Sequence, residues 1–175
     1  PEDLQDGPYV LWICLTSRAP DERQNCASVD SFSVRSRDRL APGPQYPANA
    51  VFAGAVRLAG YDLAFSEDSL NVVLHWECLA PPKMPLKVFV HLTGADDPQP
   101  LSQGDAYPAP LGTNEWQPGK AYTSAHHLPA SAAALSGKVL RVGLYDEITM
   151  QRLPRSDAAG DYALLELPAT LGQPQ

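Results

Sequence analysis

The side chains best able to hold a polar ligand fall in two kinds of place along this sequence. His91, Arg141 and Tyr145 lie in the apolar runs KVFVHL and LRVGLYD, out of phase with the valines and leucines around them. Asp105, Tyr107 and Trp116 lie in polar stretches rich in turn formers, GDAYP and NEWQPGK. An aromatic ring offers an apolar platform to a sugar face, while imidazole, carboxylate and guanidinium groups bond its hydroxyls. Loops carry a disproportionate share of binding residues. These six residues, His91, Asp105, Tyr107, Trp116, Arg141 and Tyr145, are therefore the candidate ligand-binding set. Three of them also have a purely structural use: His91 bonded to a carbonyl under a covering segment, Asp105 capping a turn, Trp116 plugging one end of a core.

Other chemistries have weaker signatures. The chain contains no GxSxG elbow, no HExxH and no glycine-rich phosphate loop, so the expectation is a non-enzyme without a cofactor. Glu77 and Asp105 are a pair of carboxylates of the kind a glycosidase uses, if the fold brings them to one bond. His126 and His127 are adjacent, so on a strand they point to opposite faces and do not chelate one ion. Asp96-Asp97 and Asp146-Glu147 lack the spacing of an EF-hand, and no metal is expected. Cys14 and Cys26 flank the polar loop TSRAPDERQN; a disulfide there encloses about a dozen residues and contributes about 3 kcal/mol in the loop-entropy model. Cys78 alternates with Leu74 and Trp76 and reads as a small buried residue. Three reduced thiols are the alternative.

The elements that must position these groups are strands. From Asp68 to Leu92 the sequence reads DSLNVVLHWECLAPPKMPLKVFVHL, with Leu70, Val72, Leu74, Trp76 and Cys78 at every second position and Leu86, Val88, Val90 and Leu92 repeating the rhythm. Period two is strand periodicity. The prolines at 81, 82 and 85 cannot continue either strand, lacking an amide donor, so two neighbouring strands are expected. Alternation then gives a core face with Trp76, Val88, Val90, Val142 and Leu144, and a second face with His75, Glu77, Phe89, His91, Arg141 and Tyr145. Further strands are expected at 8–16, 27–34, 51–65 with a bulge at Gly60, 101–103, 122–129, 138–146 and 162–167. Eight or nine strands define an all-β, antiparallel β-sandwich, immunoglobulin-like or jelly-roll.

Eighteen prolines and twelve glycines, scattered rather than massed, suit short strands and turns. The length of 175 residues fits one main core. Expected divisions are an N-terminal β-ribbon at 1–40, a proline-rich linker at 41–50, the sandwich at 51–168 and a tail at 169–175. A net charge of −7 disfavours nucleic acid or an anionic membrane as partner. No run reaches the roughly 20 apolar residues that span a bilayer. The chain begins at Pro1 without methionine, as expected of an excised or mature product whose leader, anchor or larger parent is missing.

The succession GAVRLAGYDL, LNVVLHWECLAPP, KVFVHL, QGDAYP, WQPGK, HHLPAS and LRVGLYDEITMQRLP, over residues 51 to 167, resembles the extracytoplasmic β-sandwich regions of some bacterial, Chloroflexi-type membrane glycosyltransferases and related surface proteins. The resemblance implies a sandwich fold and an outward-facing, cell-surface or secreted location. It carries no catalytic residues, since transfer chemistry in such proteins belongs to the membrane part. The expected function is a non-catalytic module recognising glycan or a partner protein. Its alternative is a structural subunit of an extracellular filament or surface layer, using the N-terminal strand for subunit contacts. A glycoside-active enzyme stands third.

Overall fold

A computed structural model of the chain describes residues 43–66, 68–97, 99–108 and 111–168, together with the backbone of 7–14 and 26–34. The chain divides into two compact units, Pro1–Gly43 and Pro44–Gln175. In the first, β1 (Gly7–Cys14) pairs antiparallel with β2 (Cys26–Val34), with a bulge between Leu11 and Trp12 and with Cys14 opposite Cys26 at the last rung. The apolar run thus already has a strand partner in its own chain. The loop between the two cysteines and the tail at 169–175 lie outside the described residues.

The second unit is an antiparallel sandwich of two four-stranded sheets. One sheet has the order β3 (Tyr46–Phe52), β4 (Val56–Ser66), β5 (Ser69–Cys78), β8 (Ala121–Pro129); the other has β10 (Ala163–Glu166), β9 (Lys138–Tyr145), β6 (Lys87–Gly94), β7 (Pro100–Gln103). The all-β sandwich expected from the alternation is present. Leu70, Val72, Leu74, Trp76 and Cys78 of β5 face Val88, Val90 and Leu92 of β6 and Leu140, Val142 and Leu144 of β9 across one core. Phe52 and Trp76 meet edge to face at 6.2 Å in its middle, the arrangement that ring quadrupoles favour.

Three expectations change. First, β5 and β6 are not neighbours in one sheet: the segment through Pro81, Pro82 and Pro85 carries the chain from one sheet to the other. With no donor at three positions, this segment cannot form a tight hydrogen-bonded hairpin. Second, residues 51–65 are not one strand. Ala53 and Gly54 take φ of 49° and 66°, making a turn between β3 and β4. The expected bulge is real: the register shifts between Leu58 and Gly60. It swaps the faces, so Val56 and Leu58 are buried before it and Tyr61 and Leu63 after it, whereas simple alternation put Tyr61 and Leu63 with Arg57. A Cβ at Gly60 would lie 2.6 Å from the Tyr46 carbonyl oxygen, which is why glycine sits there. Third, the proline-rich segment 41–50 is not linker throughout, since β3 begins at Tyr46. Pro47 is tolerated because β3 is an edge strand.

Candidate functional site

Sheet β10-β9-β6-β7 has an outer face unlike an ordinary solvated one. Phe89 points away from the core yet is 2% exposed. Its cross-strand partner is Gly143, where a Cβ would come within 2.6 Å of the phenyl ring and of the Asp161 carbonyl oxygen. Glycine therefore lets the ring come close against β9. Above it the chain returns from the turn at 146–151, where Met150 takes φ of 58°, and places the Arg152 guanidinium 4.4 Å from the ring centre. Asp161 balances that charge at 3.7 Å. Tyr145 and His91 flank the same ring at 6.3 and 5.0 Å between centroids.

Beside this roof lies a row of polar groups. Past β7, residues 104–106 stay laced to β6: the Gly104 amide donates to the Val90 carbonyl, and Val88 and Ala106 exchange both bonds. This brings Asp105 over the sheet, with Oδ1 3.3 Å from His91 Nε2 and Oδ2 accepting from the Tyr145 hydroxyl at 3.2 Å. Partial burial raises the Asp105 pKa, but the bonds from His91 and Tyr145 outweigh it and hold the carboxyl below its usual range. Tyr145 shifts up, through burial and the facing Asp105 charge. Next in the row, Glu147 accepts from Lys87 Nζ at 2.8 Å and from the Tyr107 hydroxyl at 2.6 Å. The bond from Lys87, then that from Tyr107, lowers Glu147, while the same carboxylate raises the Tyr107 phenol. Tyr107 is 43% exposed, with the Lys87 ammonium 5.7 Å from its ring centroid.

Of the six candidate residues the fold gathers His91, Asp105, Tyr107 and Tyr145. Arg141 is the cross-strand neighbour of His91, but its guanidinium turns to the Ala95 carbonyl at 3.4 Å and to the Tyr162 ring at 5.0 Å. Trp116 does not belong to the group. It is 2% exposed, stacked on Tyr122 at 4.5 Å and 3°, with its indole N–H donated to the Leu111 carbonyl, and so serves as a plug. His75 and Glu77 share a sheet with β4 and β8 and point outward on the other side of the sandwich. The second face foreseen from alternation is therefore two surfaces, and Glu77 and Asp105 stand on opposite ones, too far apart to flank one glycosidic bond. Lys87 and Glu147 lie outside the candidate set. Their link to Tyr107 joins residues 40 and 60 positions apart, which no local pattern signals.

On the flank opposite β7 and β8, between the edges of β3 and β10, a cavity of about 350 Å³ is lined by Pro47, Asn49, Tyr61, Arg155, Leu164 and Glu166 among others. None of the six candidate residues lines it. No described helix is long and apolar enough to cross a membrane. Comparison with protein-family models, curated proteins and solved structures finds no match.

Proposed function

We propose that the sandwich is a non-catalytic, extracytoplasmic recognition module that takes glycan on the outer face of sheet β10-β9-β6-β7. The observation that carries this reading is the half-exposed Tyr107 ring joined through Glu147 to Lys87, beside the His91, Asp105 and Tyr145 row. A ring platform with fixed acceptors and donors at its edge is what a pyranose requires. The groups are already bonded to one another and lie on a rigid sheet, so little ordering accompanies binding. The resemblance to the outward-facing regions of bacterial membrane glycosyltransferases supports the same location. In the same reading Cys14, directly opposite Cys26, stands within the Cα separation a disulfide spans.

A glycan array tests the reading. Tyr107→Ala and Asp105→Asn lower binding at least about tenfold, a loss of about 1.4 kcal/mol, while Glu77→Gln on the opposite surface leaves it unchanged. Equal behaviour of all three variants, or no glycan retained at all, contradicts it.

The assembly reading changes with the β1–β2 pairing, which already gives the N-terminal strand a partner in its own chain. In that reading the whole ribbon, rather than a single donated strand, makes the subunit contact. Sedimentation that shows a monomer at high concentration removes it.

A further inference from the structure

His126 is 4% exposed, on the core side of β8 where the open flank of one sheet meets β7 of the other. Its surroundings fix its tautomer. The Gly104 carbonyl oxygen, 2.7 Å from Nδ1, only accepts, so Nδ1 carries the proton. Nε2 is then the acceptor, 2.8 Å from Ser124 Oγ. Ser124 in turn receives the Trp76 indole N–H at 2.9 Å, and indole nitrogen only donates. One direction of donation satisfies every atom: Trp76 to Ser124, Ser124 to His126, His126 to Gly104.

A proton on Nε2 breaks that order. Ser124 Oγ would face two donors, Trp76 and His126, and its own hydroxyl proton would lose its acceptor in a buried place, where an unmade bond is costly. The inner positions around the ring offer no compensation. β5 presents Val72, Leu74 and Trp76 and β6 presents Val88, Val90 and Leu92, all buried and uncharged, while His127 points outward to Asn71 Oδ1. The charge that acts on the ring is Asp105, already engaged by His91 and Tyr145.

We propose that His126 is the positioning residue for the Gly104–Tyr107 segment: its Nδ1–H bond to Gly104 survives protonation, but a charged ring in this buried place, with the Ser124 hydroxyl left without an acceptor, favours opening of the segment, so that acid releases the recognition row. The coupling is short: the bonded carbonyl belongs to the residue before Asp105. Gly104 also comes so near β8 that a Cβ would lie 2.9 Å from the His127 carbonyl oxygen. Burial, opposed by the Gly104 bond and the Asp105 charge, places the His126 pKa below its ordinary value. The unfolded chain therefore takes up its proton first as pH falls below about 6.5, and the native contribution is intact above that point and is lost progressively beneath it.

The proposal deepens the glycan reading, but its test needs no ligand. NMR of the full chain follows the imidazole nitrogens and amide exchange between about pH 7.5 and pH 5, the range in which histidine switches. The expected result is an Nδ1–H tautomer at the upper end. Corrected for intrinsic exchange, protection of the Gly104 and Ala106 amides falls roughly tenfold or more on acidification, with Leu63 and Leu74 of β4 and β5 unaffected. His126→Gln offers Ser124 an acceptor and Gly104 a donor, so it keeps the segment protected and abolishes the pH dependence. His126→Ala loses protection at every pH. An Nε2–H tautomer, constant protection, or a Gln variant that titrates like the parent overturns the proposal. Failure of every glycan to bind would remove the recognition reading and leave these exchange results standing.

Discussion

The two outer faces of this sandwich began from the same period-two alternation and ended differently. On sheet β3-β4-β5-β8 the outward polar groups pair locally across the strands: Asp62 with His75 at 2.7 Å, Arg57 with Glu77 at 2.8 Å, Asn71 with His127 at 3.0 Å. Nothing in these pairs requires more than solvated neighbours, and exposed pairs of this kind contribute little. On sheet β10-β9-β6-β7 a glycine at 143 admits a phenyl ring, and two returning segments, 104–107 and 146–152, lay charge and phenol groups over it. The difference lies in the loops and in one missing side chain. Alternation tells outside from inside; it does not tell a bare outside from a roofed one.

The sharpest way to break that contrast is to remove Phe89. Phe89→Ala should cost about 3–5 kcal/mol, as for a core phenylalanine, whereas Glu77→Ala on the other face should cost no more than about 1 kcal/mol. Urea denaturation measures both, and similar losses would erase the distinction. A smaller effect comes from filling the space beneath the ring. Gly143→Ala sets a methyl against Phe89 and the Asp161 carbonyl oxygen and should destabilise by about 1–3 kcal/mol through overpacking, detected as a lower midpoint at constant slope. Smallest is the acid limb of the stability curve. Asp105 and Asp62 both lie below the ordinary carboxylate value: in each, burial acts upward and is outweighed, at Asp105 by His91 and Tyr145, at Asp62 by the Gln45 amide and His75. The stability each contributes is present above about pH 3.8 and is lost as pH falls further. Asp105→Asn should flatten this limb more than Asp62→Asn, because the Asp105 side chain is 25% exposed against 39% for Asp62. The reverse order in pH-dependent unfolding would show that the roofed carboxylate is no better insulated.

Most strand positions, the antiparallel sandwich, the Gly60 bulge and buried Cys78 were legible, since each is written in residues adjacent or two apart; the break of 51–65 at Ala53-Gly54 and the start of β3 at Tyr46 were not. Sheet membership was not: prolines between β5 and β6 announce a break without saying whether the chain turns back or crosses over. The bulge was visible, but its inversion of Tyr61 and Leu63 depends on where the extra residue is absorbed against β5. Four of the six candidate residues meet because the alternation of β6 and β9 and the lacing of residues 104–106 agree. Trp116 misled because an aromatic residue in a polar loop reads as free, and only the Tyr122 ring stacked on it shows otherwise. His126, beside a second histidine, carried no signal beyond its phase in β8; its importance comes from Gly104 and Trp76, distant in sequence.

The measurement that bears most directly on the recognition surface is amide chemical-shift mapping during titration with a glycan that the array retains. Perturbations confined to residues 87–91, 103–107 and 145–147 are the expected result. Perturbations centred on residues 57–62 and 71–77, the outer positions of the opposite sheet, would contradict it.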